Sequence, residues 1–308
     1  MTRVFAVLFS VAALGAAGSA MAQEEPREAP FSPAVGFDLF ASTDADDTDI
    51  LKAGLNFDWR YSDPEHYQGV RIETASFAPV GQDAVEDQRI YYRFADKGEH
   101  WAWNGMVGTD GDTILGAFSV HNDARIRQEY FVERERLETP LGLERGLYHT
   151  FLGAAFDLPV SDRTTFTAVV GVQDFAGDNT RLHLRANYIQ VLKADWGLSA
   201  QVRTRFFQNS DPRALDYYSP EWYAEVLPVV QVRRFHGGWR YQAAVGLGAQ
   251  KDADSDWRSA RYFEASIATP PIHRDWVGKA GFVHSNTPVT NGYTYDYNQL
   301  TFALTRVF

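Results

Sequence analysis

The sequence predicts an all-β protein: a transmembrane, antiparallel, up-and-down β-barrel of about 16 strands ending in Phe308. Three observations carry that expectation. Side chains alternate between apolar and polar over stretches near ten residues, the stretches are even in number, and tryptophans gather at their ends. Composition agrees with it. The 308 residues are 45% hydrophobic and 14% aromatic, yet mean hydropathy is −0.33. A strand sends successive side chains to opposite faces, so this mixture suits strands with one greasy and one wet face. The net charge of −11, from 29 basic and 40 acidic side chains, argues against a nucleic-acid partner, which needs a basic face. Cysteine is absent, which excludes disulfides, thiol catalysis and Cys-based zinc sites.

Residues 1–22 read as a signal peptide. Arg3 gives a positive start, Val4 to Gly18 is apolar, and Ala20-Met21-Ala22 forms an A-x-A cleavage site, so the mature chain is expected to start at Gln23. Residues 23–33 (QEEPREAPFSP) are rich in Pro and Glu and read as a flexible periplasmic lead-in. No later stretch approaches the roughly 18 apolar residues of a spanning helix. Residues 34–308 carry the alternation without a domain boundary and read as one outer-membrane β-barrel.

The alternating segments centre on 34–42, 50–61, 67–77, 87–94, 101–108, 113–120, 126–136 and 148–157 in the first half. In the second half they centre on 164–173, 180–191, 198–207, 223–234, 239–250, 257–268, 276–285 and 295–308. In the second segment Leu51, Ala53, Leu55, Phe57, Trp59 and Tyr61 alternate with Lys52, Gly54, Asn56, Asp58 and Arg60. In the tenth, Leu182, Leu184, Ala186 and Tyr188 alternate with Arg181, His183, Arg185 and Asn187. The eleventh sets Ala200, Val202, Thr204 and Phe206 against Gln201, Arg203, Arg205 and Phe207, and the twelfth sets Val226, Val230 and Val232 against Glu225, Gln231 and Arg233. Segments of this length suit a tilted strand crossing a bilayer, and an even count returns both termini to the periplasm.

Connection lengths follow that parity. The longest gaps, around 78–86, 137–147, 208–222 and 286–294, are all odd-numbered connections and so are expected outside. Trp59, Trp101, Trp103, Trp196, Trp239 and Trp276 fall beside even-numbered connections, and Trp222 and Trp257 at the other rim, as two interfacial girdles would. Leu300, Phe302 and Leu304 alternate down to Phe308, the pattern barrels present to the barrel assembly machinery. Arg306 departs from it, at a depth where a cation facing outer-membrane lipid costs little.

No catalytic residue, metal ligand set or cofactor site emerges. The chain lacks H-E-x-x-H, G-x-S-x-G and a phosphate loop. His284-Ser285-Asn286 holds the residue types of a barrel phospholipase, but neighbours on a strand point to opposite faces. Asp44, Asp46, Asp47 and Asp49 lack the glycine and distal Glu of an EF-hand and read as a solvated acidic loop.

Assigning the apolar faces to lipid leaves an inward, pore-lining set. Its cations are Lys52, Arg60, Arg71, Arg89, Arg93, Arg127, Arg181, Arg185, Arg203, Arg205, Arg233, Arg240, Arg258 and Lys279. Its anions are Asp38, Asp58, Glu73, Glu129, Glu133, Glu135, Glu225 and Glu264. Tyr91, Phe131, Phe151, Phe207 and Tyr262 share that parity, with His149 and His183 as wall residues. Sixteen strands leave room for an aqueous channel. The alternative is that these charges pair across strands and only hold the wall together.

The stretch Tyr217-Tyr218-Ser219-Pro220-Glu221-Trp222-Tyr223, followed by the strand Tyr241-Gln242-Ala243-Ala244-Val245-Gly246-Leu247-Gly248-Ala249-Gln250, resembles the late strands of bacterial exopolysaccharide exporters. These are the C-terminal porin domains of the cellulose synthase outer-membrane subunit and the poly-N-acetylglucosamine porin. The resemblance covers roughly the last hundred residues and implies passage of a polysaccharide cargo to the exterior. The chain departs from that family in lacking a tetratricopeptide array, so a separate periplasmic scaffold protein would have to supply that role. The expected function is therefore a non-enzymatic conduit for exopolysaccharide. The alternatives are a general or anion-preferring porin, a barrel enzyme acting on lipid or protein, and a plugged structural or adhesive barrel.

Overall fold

A computed structural model describes residues 31–44, 48–270, 275–287 and 296–308. The signal-peptide residues, most of the lead-in, and Asp46 and Asp47 lie outside the described residues. The first strands are β1 (Ser32–Asp44), β2 (Asp49–Asp63), β3 (His66–Ala78), β4 (Val85–Lys97), β5 (Trp101–Thr109), β6 (Ile114–Asn122), β7 (Arg127–Arg136) and β8 (Tyr148–Ser161). The chain continues through β9 (Thr164–Phe175), β10 (Thr180–Lys193), β11 (Leu198–Asn209), β12 (Trp222–His236), β13 (Trp239–Asp252), β14 (Arg258–Ala268), β15 (Trp276–Ser285) and β16 (Tyr297–Val307). Each strand pairs with its neighbours in sequence, and β1 pairs with β16, from Ala34 opposite Val307 to Asp44 opposite Tyr297, closing the barrel. Closure matters because hydrocarbon cannot satisfy an unpaired strand edge.

The alternation read from the sequence becomes two chemically distinct faces. On β2, Leu51, Leu55, Phe57 and Trp59 are exposed on the outside, while Lys52, Asn56 and Asp58 are buried inside. On β10 and β11, Leu182, Leu184, Val202 and Phe206 point out, while Arg181, Arg185, Arg203 and Arg205 are buried within. An apolar outside around a charged inside is the reverse of a soluble core. It is the arrangement of a barrel whose outer solvent is lipid.

Among several register shifts near strand ends, one in β2 moves an inward-assigned residue. A register shift between Asp58 and Arg60 sets Arg60 opposite Gln68 and Tyr61 opposite Tyr67. The extra residue of a bulge inverts the facing of everything after it. Tyr61, expected on the lipid side, is therefore buried inside and stacks on Tyr67 at 6.4 Å. Arg60, expected in the lumen, shares the outward face of Gln68 and lies 3.7 Å over the Phe31 ring. Lys52, Asp58, Glu73, Arg89, Arg181, Arg185, Arg203, Arg205 and Glu225 are buried inside the barrel.

Both termini and the short turns lie at one end, and the long connections at the other. Trp59, Trp101, Trp196, Trp239 and Trp276 are exposed near the turn end, with Trp257 exposed at the loop end. These two belts sit where indole prefers the membrane boundary. A protease site inserted after Pro212 is expected to be cut on intact cells. One inserted after Pro270 should be cut only after the outer membrane is opened. Equal cleavage at both would overturn the strand direction.

Candidate functional site: the lumen and its lid

The lumen begins as ion pairs within strands and between strands that are neighbours or lie further apart around the wall. Arg89 on β4 donates to Glu135 (2.7 Å), Asp87 (2.9 Å) and Glu73 (3.3 Å). Arg71 bonds Glu73 at 2.7 Å and also Asp38, and Arg93 lies 3.3 Å from Asp58. Arg127 reaches Glu129 at 3.1 Å. Each of these buried cations has a carboxylate within reach, the condition for burying an ion. From β1 to β8, then, cations and anions are interleaved.

The arc from β10 to β15 is different. It carries Arg181, Arg185, Arg203, Arg205, Arg233, Arg240, Arg258 and Lys279 inward, against Glu225, Asp252 and Glu264. Arg185 stands directly opposite Arg205. Arg205 bonds Glu225 at 3.2 Å, and Arg258 bonds Asp252 at 2.9 Å. Arg181 is held by Asn209 at 2.8 Å and by the Tyr218 carbonyl, with its guanidinium 4.4 Å from Phe207 and 4.9 Å from Phe175. Arg203 lies 4.9 Å over Tyr262. This arc is the more positive side of the lumen.

The inward aromatics form a chain rather than isolated platforms. Phe131 meets Phe151 at 5.4 Å, Phe151 meets His183 at 5.1 Å, His183 meets Phe207 at 5.8 Å, and Phe207 stacks on Tyr223 at 5.0 Å. His183 and His149 both bond the Gln173 side chain, at 3.0 and 3.2 Å. They are wall residues. Ser285 faces inward opposite Tyr262, while His284 faces outward opposite Phe263 and bonds Asn298 at 3.0 Å. The two do not meet.

The sequence did not show that two long connections fold into the mouth. The β7–β8 connection contains a short helix, Pro140–Glu144, with Thr139 as its cap accepting from the Gly142 amide at 3.2 Å. It reaches across to the wall at β2 and β3. Glu138 bonds Lys52 of β2 at 2.5 Å, and Leu143 packs on Ala75 and Phe77 of β3. At the root of the connection Arg136 bonds Asp87 at 2.6 Å. The β11–β12 connection comes from the other side. Tyr217 stacks on Phe175 at 4.2 Å and accepts from Asn179 at 2.7 Å, and Tyr218 donates to Asp252.

The two connections are latched to each other by Asp216. Its carboxylate accepts from the Thr139 hydroxyl at 2.6 Å and the Leu141 amide at 2.7 Å. Burial and the bond to Asp252 push the Tyr218 hydroxyl pKa up, so it stays a proton donor. Arg213 and Leu215 hold φ of 63° and 52°, a region that side chains with a Cβ rarely adopt, so the loop is held by its anchors against local strain. Leu137, Tyr217 and Ser219 have no exposed surface. Together these segments make a lid that reaches over the loop end of the lumen. At the turn end, inward side chains such as Asn104 and Lys279 remain exposed.

No family model and no curated protein matches the sequence. Among solved structures, the fold resembles one described as a "bacterial polysaccharide outer membrane secretin", with a TM-score of 0.65 at 12% identity over 89% of this chain and 98% of that one. The protein has the fold of an outer-membrane β-barrel. Looser likenesses are to Acinetobacter baumannii OccAB3, with a TM-score of 0.44 at 9% identity over 90% of this chain and 99% of that one. Pseudomonas aeruginosa OccK5 (OpdH) has a TM-score of 0.45 at 8% identity over 91% of this chain and 98% of that one. At these identities the likeness is one of fold.

Proposed function

We propose that this barrel is a lidded conduit that passes a polysaccharide from the periplasm to the exterior with the help of a separate periplasmic partner. The observation that carries the reading is the inward face. Charged and amide side chains line it on successive strands, with aromatic rings set among them. Guanidinium and amide groups donate to sugar hydroxyls, and ring faces suit the C–H faces of pyranoses. The polysaccharide named in the description of the fold neighbour points the same way. In this reading residues 1–22 are removed on export and residues 23–33 tether the barrel start in the periplasm. The barrel assembly machinery then inserts residues 34–308 into the membrane.

The cationic arc from β10 to β15 favours a second reading, an anion-preferring porin. A row of like charges beside a low-dielectric wall is poorly screened, so it attracts anions more strongly than the same row in water. Substituting Arg185 and Arg203 tests the two readings while leaving the Arg205–Glu225 bond and the Arg181 bond to the lid in place. The double substitution Arg185→Gln and Arg203→Gln keeps hydrogen-bond donors and removes charge. Export of a neutral glycan should persist while anion preference in planar bilayers drops. Joint loss of export and anion preference would identify acidic cargo or small anions. A barrel that stays non-conducting even after its lid is released would defeat both readings.

A further inference from the structure

The wall is thin at β5 and β6, the shortest strands at 9 residues each. Half of their inward positions are small, Ala102 and Gly108 on β5 with Ala117 and Ser119 on β6, set among Asn104, Met106, Leu115 and His121. Gly108 cannot be enlarged, since a Cβ there would lie 1.9 Å from the Ile90 carbonyl oxygen. Longer side chains on the flanking strands do not fill the recess. What remains is a cavity of about 390 Å³, within the range of about 300–1,000 Å³ usual for small-molecule sites.

Its lining is ordered by chemistry. Phe131, Phe151 and Met106 supply apolar surface, Arg71 and Arg93 flank it from β3 and β4, and Glu129 and Glu133 from β7. Between them Asn104 donates to the Ser119 hydroxyl at 3.4 Å, which donates to Glu129 at 3.2 Å. A free anion in this recess would meet the two glutamates, and a free cation the two arginines. A neutral polyhydroxyl ring suits both flanks, because each hydroxyl both donates and accepts. Its C–H faces then have the aromatic surface to lie on. This pattern of apolar surface with a few convergent polar groups distinguishes a ligand recess from a packing gap.

We propose that the recess between β3 and β8 is a subsite for a neutral pyranose unit, rather than an acidic or amino sugar. The proposal rests on the polysaccharide-conduit reading and names the cargo class for that site. Occupancy would hold one stretch of chain against the wall on the turn-end side of the lid. The recess would then act as a relay point for cargo entering from the periplasm.

The test is equilibrium binding to the purified full-length barrel in detergent, by titration calorimetry and saturation-transfer NMR. The probes are cellotriose, trigalacturonate and glucosamine trimer at matched concentration. Cellotriose should bind best. Ala117→Phe, which fills the recess from the wall, should weaken it roughly tenfold or more while the barrel stays heat-modifiable. Phe131→Leu keeps an apolar side chain, removes the ring, and should also weaken cellotriose; it serves if Ala117→Phe does not assemble. Preferential binding of either charged trimer would overturn the proposal. So would unchanged cellotriose binding in an assembled variant. Bilayer conductance of the lid-released barrel is measured in parallel. Conductance without saccharide binding sinks the subsite and leaves the conduit standing, whereas binding without conductance upholds the subsite and sinks the conduit.

Discussion

Replacing Asp216 with alanine is expected to raise the conductance of the purified barrel severalfold. Asp216 joins the two connections that close the mouth, through the Thr139 hydroxyl and the Leu141 amide. Hydrogen bonds to a charged acceptor contribute about 1.5–3 kcal/mol. Their loss would shift the open–closed balance of the lid by roughly ten- to a hundredfold. The strained backbone at Arg213 and Leu215 adds to the effect, because it relaxes once the anchor is gone. Asp211→Ala, an exposed change on the same connection, should leave conductance near that of the parent. Equal conductance in all three proteins would mean that this lid does not control passage.

Deleting Phe308 is expected to remove most of the folded barrel from the outer membrane. Within the structure Phe308 is exposed and contributes one backbone hydrogen bond, from its amide to the Pro33 carbonyl at 3.0 Å. The β1–β16 seam is otherwise intact from Ala34 to Asp44. A large assembly defect would therefore come from lost recognition by the insertion machinery, not from lost stability. Arg306, outward on the same strand, is held by Asp275 at 3.0 Å and lies 5.2 Å over Trp276. That placement keeps its charge at the interface, where Arg306→Leu should change little. Unchanged heat-modifiable barrel after the Phe308 deletion would count against recognition through the terminal residue.

Strand number, facing and the even closure were legible because period-two alternation is a local signal repeated along the chain. Even β5 and β6, with Gly and Ala diluting the pattern, appear at Trp101–Thr109 and Ile114–Asn122. Arg60 was misread because one inserted residue inverts parity and leaves no mark in composition. Asp87 was legible but overlooked: it is two residues from Arg89 and shares its inward face. Arg136 was not legible, since its neighbour Glu135 is also buried and strict alternation breaks at the strand end. The lid left a trace in Leu137, Leu143, Tyr217 and Tyr218, apolar and aromatic residues in connections otherwise expected to be wet. What they would pack on depends on which strands face each other across the lumen, and alternation along one strand carries no such information.

The lid also imposes an order on folding. Its bonds join residues far apart in the chain, Lys52 with Glu138 across 86 positions and Thr139 with Asp216 across 77. Such distant partners pay a large loop-closure entropy unless something else has already brought them together. The curled wall does so, and only once β2, β7 and β11 stand around a common lumen. The nascent barrel therefore passes through an unlatched stage, with its mouth unsealed after the wall has formed. The Leu141 amide, bonded to Asp216 only in the latched state, is the natural clock for that last step: its protection from hydrogen exchange should rise after that of the strand amides and mark when a newly inserted molecule becomes sealed.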